Sequence, residues 1–121
     1  MADLINLTPT PVLVTGGGSP KLMPVEQAID VSAYDRLDLV IDIPGGAPAT
    51  VKLLTSMTLQ EDDGDWIELA TTSGTLPDRS FNNYLTAPGS SGVPMLRYVR
   101  WKITPGASNG SAAISGLARR G

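Results

Sequence analysis

The chain has no cysteine and no histidine, a single phenylalanine, and charged residues at only 17% of its 121 positions. Each shortage removes a class of chemistry. Without cysteine there is no disulfide framework, zinc finger, thiolate nucleophile or iron–sulfur ligation. Without histidine there is no Ser-His-Asp triad, no imidazole general base and no imidazole metal ligand. Lys and Arg total 9 against 12 Asp and Glu, a net charge of -3 that offers no electrostatic footprint for nucleic acid. No run approaches the roughly 18 apolar residues of a membrane span. Met1-Ala2-Asp3-Leu4 carries no basic segment leading into an apolar run, so no signal peptide is expected. The charged fraction lies below the roughly 25% of an average domain. Such a surface suits either a protein partly covered by its neighbours or a monomer with a quiet Ser/Thr exterior.

What remains is a strand-forming pattern punctuated by 13 Gly and 10 Pro. In Leu37-Asp38-Leu39-Val40-Ile41-Asp42-Ile43, four apolar residues recur at period two and send Asp38, Val40 and Asp42 to the opposite side. Val51, Leu53, Thr55 and Met57 share a face in the next segment. The short Gly/Pro connection at 44–48 predicts an antiparallel hairpin between the two. Val99, Trp101 and Ile103 point inward in a second strong strand, with Tyr98, Arg100 and Lys102 pointing outward. Weaker strands are expected at Val12–Val14, Leu22–Val31, Trp66–Leu69, Phe81–Thr86 and Ser111–Leu117. Pro24 assigns its segment to an edge or a bulge, because proline cannot donate a ladder hydrogen bond. Val25–Ala33 has room for a helical turn but lacks sustained 3.6-residue periodicity. The pattern predicts an all-β chain of seven or eight short strands, folded as an antiparallel, jelly-roll-like sandwich. Its expected organisation is an extended N-terminal arm with a first short strand at 1–20, one domain at 21–118 and a basic tail at 119–121.

Several groupings invite a functional reading. The acidic turn Glu61-Asp62-Asp63-Gly64-Asp65 clusters oxygen ligands of the kind Ca²⁺ favours, with Asp62, Asp63 and Asp65 as candidates. It lacks the full EF-hand spacing, and Asp and Gly equally build an ordinary solvated tip. Asp38 and Asp42, four residues apart on one strand face, stand about 13 Å apart, too far for paired-carboxylate hydrolysis. Gly16-Gly17-Gly18-Ser19-Pro20-Lys21 lacks the ending and the helix of a phosphate loop and is expected to be a turn. Trp66 and Trp101 are expected in the core. No catalytic set can be assembled from these residue types, and no cofactor is expected.

The remaining candidates are contact residues. Tyr98, Arg100 and Lys102 form an outward basic-aromatic patch, suited to a protein interface or to pairing with Asp38 or Asp42. The apolar, proline-punctuated start places Leu4, Ile5, Leu7, Pro9 and Pro11 in an arm able to dock on a neighbour or to fray. Arg119 and Arg120 would extend such a contact as a basic tail.

Two resemblances follow from these residues. Asp63-Gly64-Asp65-Trp66-Ile67-Glu68-Leu69 and Arg97-Tyr98-Val99-Arg100-Trp101 resemble the "D-G-x-W-x-x-L" and "R-Y-V-R" strands of galactose-binding-like, discoidin-type jelly rolls. That resemblance implies a carbohydrate-binding module, although the family's framing cysteines are absent and its binding loops find no residue-by-residue match, so no sugar site carries over. The aromatic residues the chain itself would offer to a sugar are Tyr84, Tyr98 and Trp66. The layout as a whole resembles the small β-sandwich structural proteins of tailed bacteriophage virions, such as head-decoration proteins. The strands carrying it are Ile29-Asp30-Val31, Leu37-Asp38-Leu39 and Arg97–Trp101. This second resemblance implies a non-enzymatic capsid decoration or cement protein, made in the host cytoplasm and carried in the virion. Its expected partners are further copies of itself, a trimer among them, and the major capsid or another virion protein. Nucleic acid and membrane are not among them.

Overall fold

The computed structural model describes residues 2–8, 12–15, 17–42, 49–71, 83–87, 93–106 and 110–120. The elements in chain order are β1 (Ala2–Asn6), β2 (Val12–Val14), β3 (Lys21–Leu22), β4 (Ile29–Asp30), β5 (Arg36–Asp42), β6 (Ala49–Ser56), β7 (Ile67–Thr71), β8 (Asn83–Ala87), β9 (Tyr98–Pro105) and β10 (Gly110–Arg119). Single 3-10 turns lie at Val25–Gln27 and Asp63–Asp65. No described helix is long and apolar enough to cross a membrane.

The strands form two antiparallel sheets. Sheet I runs β1-β10-β5-β8, with β2 also on β10, and sheet II runs β3-β9-β6-β7, with β4 also on β9. The chain is therefore an all-β sandwich. The ten strands of the described residues exceed the seven or eight expected, because the N-terminal segment adds β1 and the segment around Pro24 divides into two two-residue strands on one edge of β9. Pro24 lies between them, where no ladder hydrogen bond is required.

Period-two alternation places the core as expected. Leu37, Leu39 and Ile41 of β5, with Ala112, Ile114 and Ala118 of β10, meet Val51 and Leu53 of β6, Leu69 of β7 and Val99, Trp101 and Ile103 of β9. Fully burying one such aliphatic side chain is worth about 1.5–3 kcal/mol. The two strongest stripes thus face one interior. Buried polar groups within it are matched. Trp101 Nε1 donates to the Leu7 carbonyl at 2.9 Å, and Thr55 Oγ1 donates to the Tyr98 carbonyl while accepting from Leu96 N–H.

Two glycines meet a backbone requirement. Gly17 adopts a left-handed φ of 69° and donates to the Gly106 carbonyl, tying the β2–β3 turn to the end of β9. Gly116 lies opposite Leu39, where β5 approaches so closely that an added Cβ would stand 2.0 Å from the Asp38 carbonyl oxygen. Only glycine fits there.

Three features differ from the sequence reading. The predicted β5–β6 hairpin does not form: β5 pairs with β10 and β8, whereas β6 pairs with β9 and β7. Both strands need one face in the core, and placing them in opposite sheets satisfies each. The N-terminal segment is a strand of sheet I, paired with β10 from Ala2↔Arg119 to Asn6↔Ser115, so its start is not a free arm. Arg119 closes β10, so the basic tail begins only after it.

Candidate contact surface

The outer faces of the two sheets are built by the same alternation and end differently. On sheet II, Tyr98, Arg100 and Lys102 have outward parity, and Arg100 lies opposite Leu54 of β6. The β6–β7 connection, residues 57–66, folds back over this face. Arg100 is thereby only 3% exposed and Trp66 only 6%. The Arg100 guanidinium carbon stands 5.3 Å from the Trp66 ring centroid, a cation–π geometry. Its Nε and Nη2 donate to the Met23 carbonyl, and its Nη1 to the Glu61 carbonyl at 3.4 Å. Trp66 Nε1 donates to the Gln60 carbonyl at 2.7 Å. The strap is thus pinned at its centre by an arginine expected on the surface. A buried guanidinium is tolerable only when its donors are satisfied, and carbonyls meet that need.

This removes Arg100 from the contact candidates. Tyr98 is half-buried with the Arg97 guanidinium 5.1 Å from its ring centroid, and Lys102 is half-buried. Trp66 is equally withdrawn as a sugar-stacking platform, and the Tyr84 side chain lies outside the described residues. The acidic turn lies within the strap, between Gln60 and Trp66. There Asp62 Oδ1 accepts from Gly64 N–H at 3.0 Å, and Asp62 O accepts from Asp65 N–H at 3.1 Å, so local backbone geometry accounts for the Asp-Gly sequence. The side chain of Asp63 lies outside the described residues.

Sheet I has no described segment folded over its outer face. Directly opposed residues share a face, so Leu4, Leu117 and Asp38 form one row, and Asn6, Ser115 and Val40 the next. Leu4 is 86% exposed and Val40 37%. Leu13, on β2 at the same margin of the sheet, is 73% exposed. At one end of the face, Asp38 Oδ1 accepts from Arg36 Nε at 3.0 Å and Oδ2 from Arg119 Nε at 2.8 Å. Partial burial pushes the Asp38 carboxyl upward, but the hydrogen bonds and charges of Arg36 and Arg119 outweigh it and hold it below the usual 3.8. Asp38 is therefore committed to these arginines rather than to Arg100 or Lys102, which belong to the other sheet.

Of the predicted contact residues, Leu4 and Arg119 are brought to this face. Ile5 packs partly against the core and Leu7 is buried within it. Pro9 and Pro11 lie outside the described residues. Arg120 donates through Nε to the Ala33 carbonyl at the end of the sandwich. The candidates do not converge into one patch: they divide between the open face of sheet I, the covered face of sheet II and the core. A further concavity of about 380 Å³, lined by Val31, Tyr34, Met57, Met95 and Arg97, lies at one end of the sandwich. It had no sequence signature, because three separate segments contribute to it. Beside it, Tyr34 Oη donates to Asp3 Oδ2 at 2.6 Å and ties β1 to the β4–β5 connection. That hydrogen bond raises the Tyr34 pKa above its ordinary 10.0.

Among the described residues, no cluster of three or more acidic side chains is placed to hold a metal ion. Comparison of the chain with protein-family models, curated proteins and solved structures returned no match.

Proposed function

We propose that this chain is a structural building block that works through protein–protein contacts, and that its place is the surface of a tailed-phage particle as a capsid decoration protein. The observation carrying this reading is the contrast between the outer faces. Residues 57–66 of the chain itself cross one sheet over Arg100, while the other presents Leu4 and Val40, with half-buried Leu117, beside Asp38 and its two arginines. A row of apolar side chains with a polar rim is the composition of a contact surface. The low charge of the chain supports the same reading. Many such contacts repeated by symmetry bind by avidity, with little affinity needed at each. Jelly-roll connectivity belongs to this proposal as its finer statement.

Proteomic analysis of purified particles produced from the encoding genome tests the reading. The chain is expected in the head fraction at a stoichiometry comparable to the capsid subunits. Its confinement to the particle-free lysate would overturn the proposal. Removing residues 1–11 is a poor test, because Leu7 belongs to the core and its loss would unfold the sheet it supports. Substitutions at exposed Leu4 and Val40 read the contact without that confusion.

A further inference from the structure

The edge of sheet I carries a second, more specific signal. Leu7 N–H donates to the Ile114 carbonyl on β10 at 2.9 Å. In an antiparallel pair the backbone groups alternate in direction. Leu7, Ile5 and Asp3 therefore aim theirs at β10, whereas Ala2, Leu4 and Asn6 aim theirs away from it. β1 pairs with β10 and with no other described strand. Its outer side is thus a row of backbone donors and acceptors available to another strand.

Both edges of sheet II are protected. β3 and β4 have two residues each and are interrupted by Pro24. β7 carries Glu68, which pairs with Lys52 at 3.2 Å, and its register with β6 shifts at Leu53/Leu54. β1 has five residues, no proline, no lysine and no bulge in its pairing with β10. Its one charged residue, Asp3, accepts a hydrogen bond from Tyr34 within the same chain, and the proline, lysine and bulge that keep other edges apart are absent.

We infer that β1 pairs antiparallel with β1 of a second copy of this chain about a two-fold axis at Leu4, joining two copies of sheet I into one continuous sheet. This rests on the reading of the chain as an assembly protein and names the contact it uses. The strand's own sequence selects the register. Centring on Leu4 gives all of Ala2–Asn6 a partner, with Ala2 opposite Asn6 and Asp3 opposite Ile5 of the other copy. Centring one residue earlier would set the two Asp3 carboxylates against each other, a destabilising pair. Centring later leaves part of the strand unpaired. At Leu4 the two exposed side chains adjoin on the outer face, and their outward N–H and C=O groups exchange hydrogen bonds. The contact is isologous and closes on itself, as a two-fold interface must.

A chain without native cysteine makes the test direct. In a hydrogen-bonded antiparallel pair the Cα atoms stand about 5.5 Å apart, within the range a disulfide spans. Leu4→Cys is expected to form a covalent dimer under mild oxidation. Asn6→Cys, whose two copies would lie about 13 Å apart along the strands, is expected to yield less than about a tenth as much. Leu4→Lys places like charges opposite each other and is expected to weaken self-association of the wild-type chain about tenfold or more in sedimentation. Leu4 is exposed and its backbone groups point away from β10, so the Leu4 variants leave the intramolecular pairing intact. Asn6→Cys gives up the Asn6 Oδ1 acceptor of Thr8 N–H, and a wild-type circular dichroism spectrum is expected to show that its fold is kept. Equal cross-linking of both cysteine variants, or none, in a chain that self-associates overturns the edge pairing and leaves the assembly reading standing. A wild-type chain that stays monomeric at every concentration also overturns the edge pairing, and particle composition then decides the broader reading independently.

Discussion

The outer faces of β9 and β5 follow one rule and meet different fates. Both strands turn alternate apolar residues inward, yet of the residues with outward parity Arg100 of β9 is buried whereas Val40 of β5 is exposed. The difference lies in what crosses the face. Residues 57–66 return over sheet II with Trp66 above Arg100, and sheet I has no such segment among its described residues. Alternation therefore decides which side of a sheet a residue occupies. A separate part of the chain decides whether that side is surface.

The sharpest way to break this comparison is to remove the cover. Trp66→Ala is expected to destabilise the fold by about 3–5 kcal/mol, the usual loss for a buried aromatic truncated to alanine, measurable by urea unfolding. It also leaves the Arg100 guanidinium without its ring partner. A loss below 1 kcal/mol would mean the strap is a loose loop. Gly116→Ala probes the other sheet from within, where the new methyl group meets the Asp38 carbonyl. A loss of about 3 kcal/mol, the upper part of the overpacking range, is expected in the same assay.

How much of this was legible in the sequence can be judged from the same residues. Leu37, Leu39 and Ile41, and Val99, Trp101 and Ile103, declare their inward faces through period two alone, and the all-β class follows from them. Arg100 has the parity of a surface residue, and its burial depends on Trp66, more than thirty residues away. Nothing near Arg100 signals that. Proline at 9 and 11 gives the N-terminal segment the look of an arm, while its true partner, β10, lies at the other end of the chain. Proximity along the chain suggests a β5–β6 hairpin, although the connection changes sheets. For the contact surface, Leu4 and Arg119 were legible as candidates, but the row they share with Leu117 and Asp38 exists only through cross-strand register. Gly116 carries no local signal, because its constraint comes from the backbone of β5.

Smaller effects sharpen the description of the open face. The Asp38 pKa is lowered in the folded chain, so its ion pairs add stability that is complete above the ordinary value of 3.8. That stability is lost as the pH falls through the lowered folded value. Asp38→Asn is expected to cost no more than about 1 kcal/mol at pH 7, since both arginines are about half-exposed and screened. The difference between wild type and variant should vanish in acid-unfolding curves at the low end of that window. A difference independent of pH would assign the effect to packing. Smallest of all, Leu4→Ser should change monomer stability by less than about 0.5 kcal/mol while weakening self-association. Equal losses in both would place Leu4 in the fold rather than in a contact.

Hydrogen exchange followed by mass spectrometry, comparing dilute chain with assembled chain, tests the central distinction most directly. The account predicts that amides of Ala2–Asn6 slow on assembly while those of residues 57–66 keep their rates. Slowing confined to residues 57–66, with Ala2–Asn6 unchanged, would contradict it.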